Sequence, residues 1–216
     1  LVADRSALAD QQAASVKVTA AFCHPMEQVG RTMALPERFI VSAGGQSQNL
    51  AGALAPARVL GKEAWIFEWK PRRPGLYQLA FVPQPYWEPA EDCYIVHYAK
   101  LCLSAYGEED GWDEPVGLPA EIKPLTRPFG LYAGQVFTGR VLVGGKPAAG
   151  VPVEIEFWNE GGLRAAPTPL HATQVVRADE RGVFSFSAPW AGWWGCAALT
   201  AGRITTWVWS SGGNYT

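Results

Sequence analysis

The chain has 216 residues, enough for one large domain or two small ones, and its 18 basic and 20 acidic side chains give a net charge of −2 with no block of one sign. A nucleic-acid-binding protein needs clustered basic side chains to neutralise phosphates, and a protein that binds anionic membrane surfaces needs a polybasic segment, so the charge balance argues against both classes. Apolar residues make up 48% of the chain and charged residues 18%, which is enough apolar material for a folded core.

Aromatic residues and turn-forming residues are both abundant. Ten Trp, nine Phe and seven Tyr accompany 23 Gly and 17 Pro. Aromatic side chains favour strands, and Gly and Pro favour the turns between them. No run of roughly eighteen apolar residues occurs, so the sequence predicts no membrane-spanning helix. The composition therefore predicts an all-β protein.

Apolar and polar residues alternate over several short segments in the first half of the chain. Segment 64–70 is the clearest, because Trp65, Phe67 and Trp69 fall on one face. A turn rich in Pro and Gly joins it to segment 76–82, which predicts a hairpin. Segment 6–14 is the only candidate helix. The strands predicted in this half are 16–22, 39–43, 64–70, 76–82 and the long segment 93–103.

A segment without periodicity, 106–128, carries Gly, Pro and acidic residues, and we predict a linker there. Alternation then restarts, and about eleven or twelve strands in all predict two immunoglobulin-like β-sandwich domains in tandem. The predicted domains are 1–125 and 126–216, and we expect residues 126–216 to fold alone. The strands predicted in the second half are 135–143, 151–158, 173–178, 183–187, 193–200 and 204–209.

Glycines mark two turns in the second half. Gly144 and Gly145 lie in one hairpin, and Gly182 follows three polar residues in the next, where a type I turn with a bulge needs a positive φ. With Phe184 and Phe186 after the second turn, this order resembles the carboxypeptidase-regulatory or transthyretin-like sandwich. The resemblance implies an immunoglobulin-type module with no chemistry of its own.

Two longer segments are distinctive, since 83–100 reads PQPYWEPAEDCYIVHYAK and 188–199 reads APWAGWWGCAAL. Together with Phe-Cys-His-Pro at 22–25, they occur in an order that resembles the DUF4198 family over about residues 16–209. Members of that family are often labelled periplasmic components of nickel or cobalt ABC-type uptake systems. The resemblance therefore implies Ni²⁺ or Co²⁺ as the bound ion and a membrane ABC-type transporter as partner. A periplasmic or secreted location also follows, and the absence of Met before Leu1 is consistent with a removed signal peptide.

The candidate metal ligands lie in the long strand, in the loop before it and after the first strand. Carboxylate and imidazole are ligands that divalent nickel and cobalt accept. We therefore predict a metal site formed by His97, Glu88, Asp92 and His24. Two alternatives stay open: His97 is a histidine at the core edge bonded to a backbone carbonyl, and the acids, with Glu91, form a solvated loop.

Other chemistry has less support in the sequence. The motif G-x-S-x-G, the motif H-E-x-x-H and a phosphate-binding loop are all missing, so we predict no catalytic residues and no enzymatic activity. The four cysteines allow three disulfide pairings. Most tryptophans, including those of 188–199, are predicted to pack in the interior, whereas Trp87 and Trp112 lie in acidic loops and are candidates for function.

Two functions remain after these exclusions. The first is an extracytoplasmic binding or accessory protein, binding Ni²⁺ or Co²⁺ for an ABC-type transporter. The alternative is a structural or adhesion-type module that binds a protein or glycan partner.

Overall fold

The computed structural model describes residues 1–9, 15–89 and 92–212. Within these ranges the regular structure is β-strand apart from three single-turn 3₁₀ helices, Ala51–Ala53, Glu160–Gly162 and Pro169–His171. None of the described helices is long and apolar enough to cross a membrane. The predicted fold class, all-β with immunoglobulin-like sandwiches in tandem, is confirmed.

The strands in chain order are β1 Val2–Ala3, β2 Ala7–Leu8, β3 Val16–Ala20, β4 Phe22–His24, β5 Val29–Arg31, β6 Arg38–Ala43, β7 Gln46–Asn49, β8 Ala55–Val59, β9 Lys62–Trp69, β10 Gly75–Val82, β11 Tyr86–Glu88, β12 Cys93–Ala105, β13 Ala120–Pro124, β14 Val136–Val143, β15 Lys146–Pro147, β16 Pro152–Phe157, β17 Gln174–Arg177, β18 Val183–Ser187, β19 Gly192–Thr200 and β20 Arg203–Ser211.

Three larger sheets organise these strands. The N-terminal sheet has the order β1-β3-β9-β8, and the C-terminal sheet joins β13, β14, β15 and β18. The central sheet has ten strands in the order β17-β16-β19-β20-β12-β10-β6-β7, with β11 and β2 also paired to β12. Strands β4 and β5 form a separate hairpin. The central sheet therefore contains strands from both predicted domains.

The contact between the two halves of the central sheet is a parallel pairing of β12 with β20. His97 pairs with Ile204 and Leu101 with Val208 in this register. Because neighbouring residues in a strand point to opposite faces, Leu101 belongs to one core and Cys102 to the other. The N-terminal and C-terminal sheets thus cover opposite faces of the central sheet.

Each core draws residues from across the predicted boundary at residue 125. The C-terminal core around Phe137, Trp207 and Trp209 includes Leu76 and Cys102 from the first half. Trp193 and Val208 from the second half join the N-terminal core. The large apolar side chains at its centre are Phe39, Phe67, Leu79, Phe81 and Leu101. The division into domains at residue 125 stays a prediction. The two predicted domains share the central sheet.

Three local predictions are wrong. The predicted hairpin of 64–70 and 76–82 does not form, because β9 pairs with β3 and β8 in the N-terminal sheet, whereas β10 pairs with β12 and β6 in the central sheet. The predicted linker contains β13, whose residues Ala120–Pro124 pair with β14, because burial of Ile122 in the C-terminal core outweighs the weak local pattern. The candidate helix 6–14 contains β2 in its described part, and Ala7 pairs with Ser104 of β12. Residues 10–14 lie outside the described residues.

Candidate functional site

A cavity of about 460 Å³ lies on the face of the central sheet that is covered by the β4–β5 hairpin. We call it the junction cavity, because residues from both halves of the chain line it. Its floor is formed by β12, β16, β19 and β20, and its walls by β4, β11 and the loop that follows β5. The titratable side chains that line it are Cys23, His24, Arg31, Tyr86, Glu88, His97, Glu154 and Glu156.

His97 lies on the floor of the junction cavity. Its Nε2 is 2.7 Å from Thr206 Oγ1 on the neighbouring strand, and its ring meets the ring of Phe22 edge-on at a centroid distance of 5.9 Å. Burial lowers the pKa of His97 to about 4, so the imidazole is neutral near pH 7. The hydrogen-bond partner of His97 is thus a hydroxyl and not the backbone carbonyl considered above. The neutral imidazole can bind a metal ion or accept a hydrogen bond.

Glu156 is, with Glu154, one of two acids of this site that the sequence analysis missed. His24 Nδ1 lies 3.6 Å from its Oε1, where the side chain of Glu156 is 15% exposed. The carboxylate raises the pKa of His24, which favours an imidazolium–carboxylate pair. Thr173 donates a hydrogen bond to the same oxygen at 2.7 Å. The other oxygen, Oε2, is buried and has no hydrogen-bond partner among the described residues.

The strand β16 explains why these acids escaped attention. Val153 and Ile155 point into the C-terminal core, so Glu154 and Glu156 point to the opposite face. In a two-layer sandwich that face is exposed to solvent, and acidic residues there do not indicate a functional site. Here the β4–β5 hairpin covers it, and burial, followed by the charge of Glu156, raises the pKa of Glu154.

Three of the four predicted metal ligands, His24, Glu88 and His97, line the junction cavity. Asp92 does not line it and occupies an exposed turn with a φ of 51°. Glu91 lies outside the described residues. Within the described ranges, no group of three or more His, Cys, Asp or Glu side chains is placed to hold a metal ion. The structure thus brings three predicted ligands to one cavity without arranging them as a coordination shell.

Within the described residues, none of the four cysteines forms a disulfide. Cys23 lines the junction cavity, and burial raises its pKa. Burial also raises the pKa of Cys102 to about 12 and raises that of Cys196. Thiols with raised pKa values are poor nucleophiles and poor metal ligands near neutral pH.

The chain belongs to the DUF4198 family, described as a domain of unknown function, whose sequence model matches residues 2–202. No curated protein matches it. Among solved structures, the D0-D1 domain of Intimin is 12% identical over 98% of this chain and 96% of that chain, with a TM-score of 0.29. The amphioxus IgVJ-C2 molecule is 10% identical over 94% of this chain and 98% of that chain, with a TM-score of 0.25. Scores this low support no argument about function.

Proposed function

We propose that this DUF4198 protein is an extracytoplasmic, non-catalytic binding protein that holds a small cationic ligand in the junction cavity. A volume of about 460 Å³ is within the roughly 300–1,000 Å³ typical of small-ligand sites. The single observation that carries the proposal is Glu156, whose Oε2 is buried at the cavity without a hydrogen-bond partner in the described chain. A buried acceptor of this kind is costly unless a donor or a cation satisfies it.

The charges around the cavity favour a cation over an anion. Glu88, Glu154 and Glu156 supply carboxylates, against the cationic Arg31, the paired His24 and the α-amino group of Leu1, whose pKa is lowered by burial. A positively charged ligand would relieve the mutual repulsion of Glu154 and Glu156, which lie two residues apart on the same face of β16.

The finer form of the proposal makes Ni²⁺ or Co²⁺ the cargo, received for delivery to an ABC-type transporter in the membrane. Its support is chemical, because these ions accept mixed imidazole and carboxylate ligands, and both types line the cavity. His97, His24, Glu88 and Glu156 are the side chains that would move towards the ion. Asp92 has no place in this version, since it lies outside the cavity lining.

The test is a melting-temperature and calorimetric titration of metal-stripped protein with Ni²⁺, Co²⁺ and Zn²⁺, and separately with putrescine and ethanolamine as organic cations. We expect at least one of these to bind, and Glu156→Gln to weaken its binding by roughly tenfold or more, because a charge-assisted contact is lost. His171→Ala is the control, since His171 lies in an exposed 3₁₀ helix and does not line the cavity.

The outcomes separate the two forms of the proposal. Binding of organic cations without metals removes nickel and cobalt but keeps the cavity as a cation site. Failure of every probe to stabilise the wild type, or equal binding by Glu156→Gln and the wild type, overturns the proposal as a whole.

The pH dependence distinguishes the two histidines if a metal binds. An imidazole must be neutral to bind a metal ion, and the pKa of His97 is about 4, whereas the pKa of His24 is raised by Glu156. Of the two histidines, only His24 is therefore expected to contribute to a fall in affinity as the pH falls from about 7 to about 5, beside the contribution of Glu154, whose pKa is also raised. His24→Ala should weaken binding and flatten this profile, whereas His97→Ala should weaken binding at every pH in the range. An unflattened profile in folded His24→Ala would remove His24 from the site.

A further inference from the structure

A second concave site, separate from the junction cavity, lies in the first half of the chain. It is an open cleft of about 1140 Å³ between the β6–β7 hairpin and the loop that joins β9 to β10. We call it the basic cleft. The side chains that line it and that are used in the argument are Gln46, Gln48, Trp69, Lys70, Arg72, Arg73 and Tyr77.

Positive charge is concentrated at the basic cleft. Lys70, Arg72 and Arg73 lie within four consecutive residues and face a single acidic lining residue, Glu68. All three cations are exposed. In the part of the chain that the structure describes, none of them forms an ion pair or a side-chain hydrogen bond, although five ion pairs occur elsewhere. The guanidinium donors are thus available to a ligand.

The loop that carries the two arginines is held in place before any ligand arrives. Tyr106 Oη donates a hydrogen bond to the carbonyl of Pro71 at 2.7 Å, and Tyr77 Oη donates to the carbonyl of Arg73 at 3.0 Å. Pro71 and Pro74 further restrict its backbone, because the proline ring fixes φ. A loop that is already ordered loses less entropy when a ligand binds. The ordered loop therefore favours a binding site at these arginines over a cluster of solvated charges.

The rest of the cleft offers apolar surface and neutral hydrogen-bonding groups. Trp69 and Tyr77 form a wall, with their rings at 78° and a centroid distance of 4.6 Å. Gln46 and Gln48 alternate with Ser47 along the exposed edge strand β7, so that both amides face the cleft. Each amide has two donor hydrogens and an acceptor oxygen, and neither side chain has a hydrogen-bond partner among the described residues.

We propose that the basic cleft binds an acidic saccharide, a sugar chain that carries carboxylate or sulfate groups. Arginine pairs bind such anions through charge-assisted, bidentate hydrogen bonds. Aromatic rings pack against the apolar face of a pyranose, and glutamine amides match its hydroxyl groups. A peptide of acidic residues would use the arginines, and its backbone would bond to the amides, but it has no pyranose face to pack against the aromatic wall. The proposal is independent of the junction cavity, which shares no lining residue with the basic cleft.

The experiment is a calorimetric titration of the full chain at low salt, with tryptophan fluorescence as a second readout. The probes are trigalacturonic acid for carboxylate, a heparin-derived hexasaccharide for sulfate, maltohexaose as a neutral sugar and decaglutamate as an acidic peptide. We expect at least one acidic saccharide to bind more tightly than maltohexaose and decaglutamate, with an affinity that falls as salt is raised, because exposed charges are screened.

Matched variants decide whether the cleft is responsible. Arg72→Gln with Arg73→Gln should weaken saccharide binding by roughly tenfold or more, since charged hydrogen bonds are lost. Gln46→Ala with Gln48→Ala should weaken it less but leave the salt dependence intact. Arg58→Gln with Lys62→Gln removes the same charge from the exposed β8–β9 turn and should leave binding unchanged. Melting curves confirm that each variant is folded.

Three results would overturn the proposal. One is that neither acidic saccharide binds. Another is that decaglutamate binds as tightly as the better saccharide, which would assign the cleft to an acidic peptide. The third is that the control pair weakens binding as much as the arginine pair, which would show that only net charge matters.

Discussion

Lys100 and Glu121 form an ion pair deep in the protein, where Lys100 is 1% exposed and Glu121 is 2% exposed. Burial lowers the pKa of Lys100, and the charge of Glu121 opposes this shift. The carboxylate also accepts hydrogen bonds from the backbone N–H groups of residues 116–118, at 2.8, 3.1 and 3.3 Å. The ammonium lies 4.6 Å from the ring centroid of Trp207. The pair thus ties the loop before β13 to the central sheet.

At the residue scale we predict that Lys100→Met lowers the free energy of unfolding by about 3–5 kcal/mol, because it leaves a buried carboxylate without its counter-charge. Chemical denaturation measures this quantity. The double variant with Glu121→Gln should lose less than the sum of the two single variants, since no charge remains to be compensated.

The control is the exposed pair of Arg127 and Glu109, whose side chains are 46% and 52% exposed. Arg127→Met should change stability by about 1 kcal/mol or less, as is usual for surface ion pairs. A similar loss in Arg127→Met and Lys100→Met would contradict the argument from burial.

Strand β19 shows how one element is fixed by close packing. Trp194 is 3% exposed, and its ring lies against Phe157, Phe186 and Trp190 at centroid distances of 5.1, 5.6 and 5.2 Å. The strand starts at Gly192, where φ is 133° and an added Cβ would lie 2.6 Å from the ring of Phe157. The predicted burial of the tryptophans in 188–199 is confirmed for Trp193 and Trp194, the first of which belongs to the N-terminal core.

At the element scale we predict that Trp194→Ala lowers the free energy of unfolding by about 3–5 kcal/mol, through the lost transfer energy and the cavity that remains. A melting curve and a denaturant titration measure the loss. The matched control is Trp87→Ala on β11, because Trp87 is 47% exposed and contacts Tyr94 at a centroid distance of 5.1 Å. The prediction fails if Trp194→Ala unfolds at the same temperature as the wild type.

The two halves of the chain are joined by the parallel pairing of β12 with β20. Each hydrophobic core also contains residues from both halves. A fragment of residues 126–216 lacks β12, which pairs with β20, and β13, which pairs with β14. It also lacks Leu76, Cys102 and Ile122 from the C-terminal core. The sequence pattern therefore predicts that this fragment folds alone, whereas the shared sheet predicts that it does not.

At the scale of the whole molecule we predict that residues 126–216 expressed alone show no cooperative thermal unfolding and aggregate readily, because unpaired strand edges and apolar core residues become exposed. Circular dichroism and the dispersion of amide NMR signals measure the outcome, with the full chain as control. A soluble fragment with dispersed signals would show that the second half folds independently and that the β12–β20 pairing adds little.

Much of the fold could be predicted because strand periodicity is local. The alternation of Trp65, Phe67 and Trp69 is realised in β9, and the Pro-rich turn after it leads into β10 as predicted, although the two strands belong to different sheets. The site was harder, and only part of it was foreseen. His97, His24 and Glu88 were recognised because their residue types suit metal chemistry, and all three line one cavity. The tryptophans of residues 188–199 could be predicted to pack in the interior because indole rings beside glycines allow close packing of side chain against backbone.

The sequence by itself determined the fold class and which residues alternate between faces, since both depend on neighbours a few positions apart. The tertiary structure alone decided that β12 and β20 pair across more than a hundred residues, which places both halves in one sheet. It also decided that the outer face of β16 is covered, so that Glu156 becomes a buried acceptor beside His24. The physical reason is that burial of a strand's second face depends on which other segment covers it, and no local pattern encodes that choice.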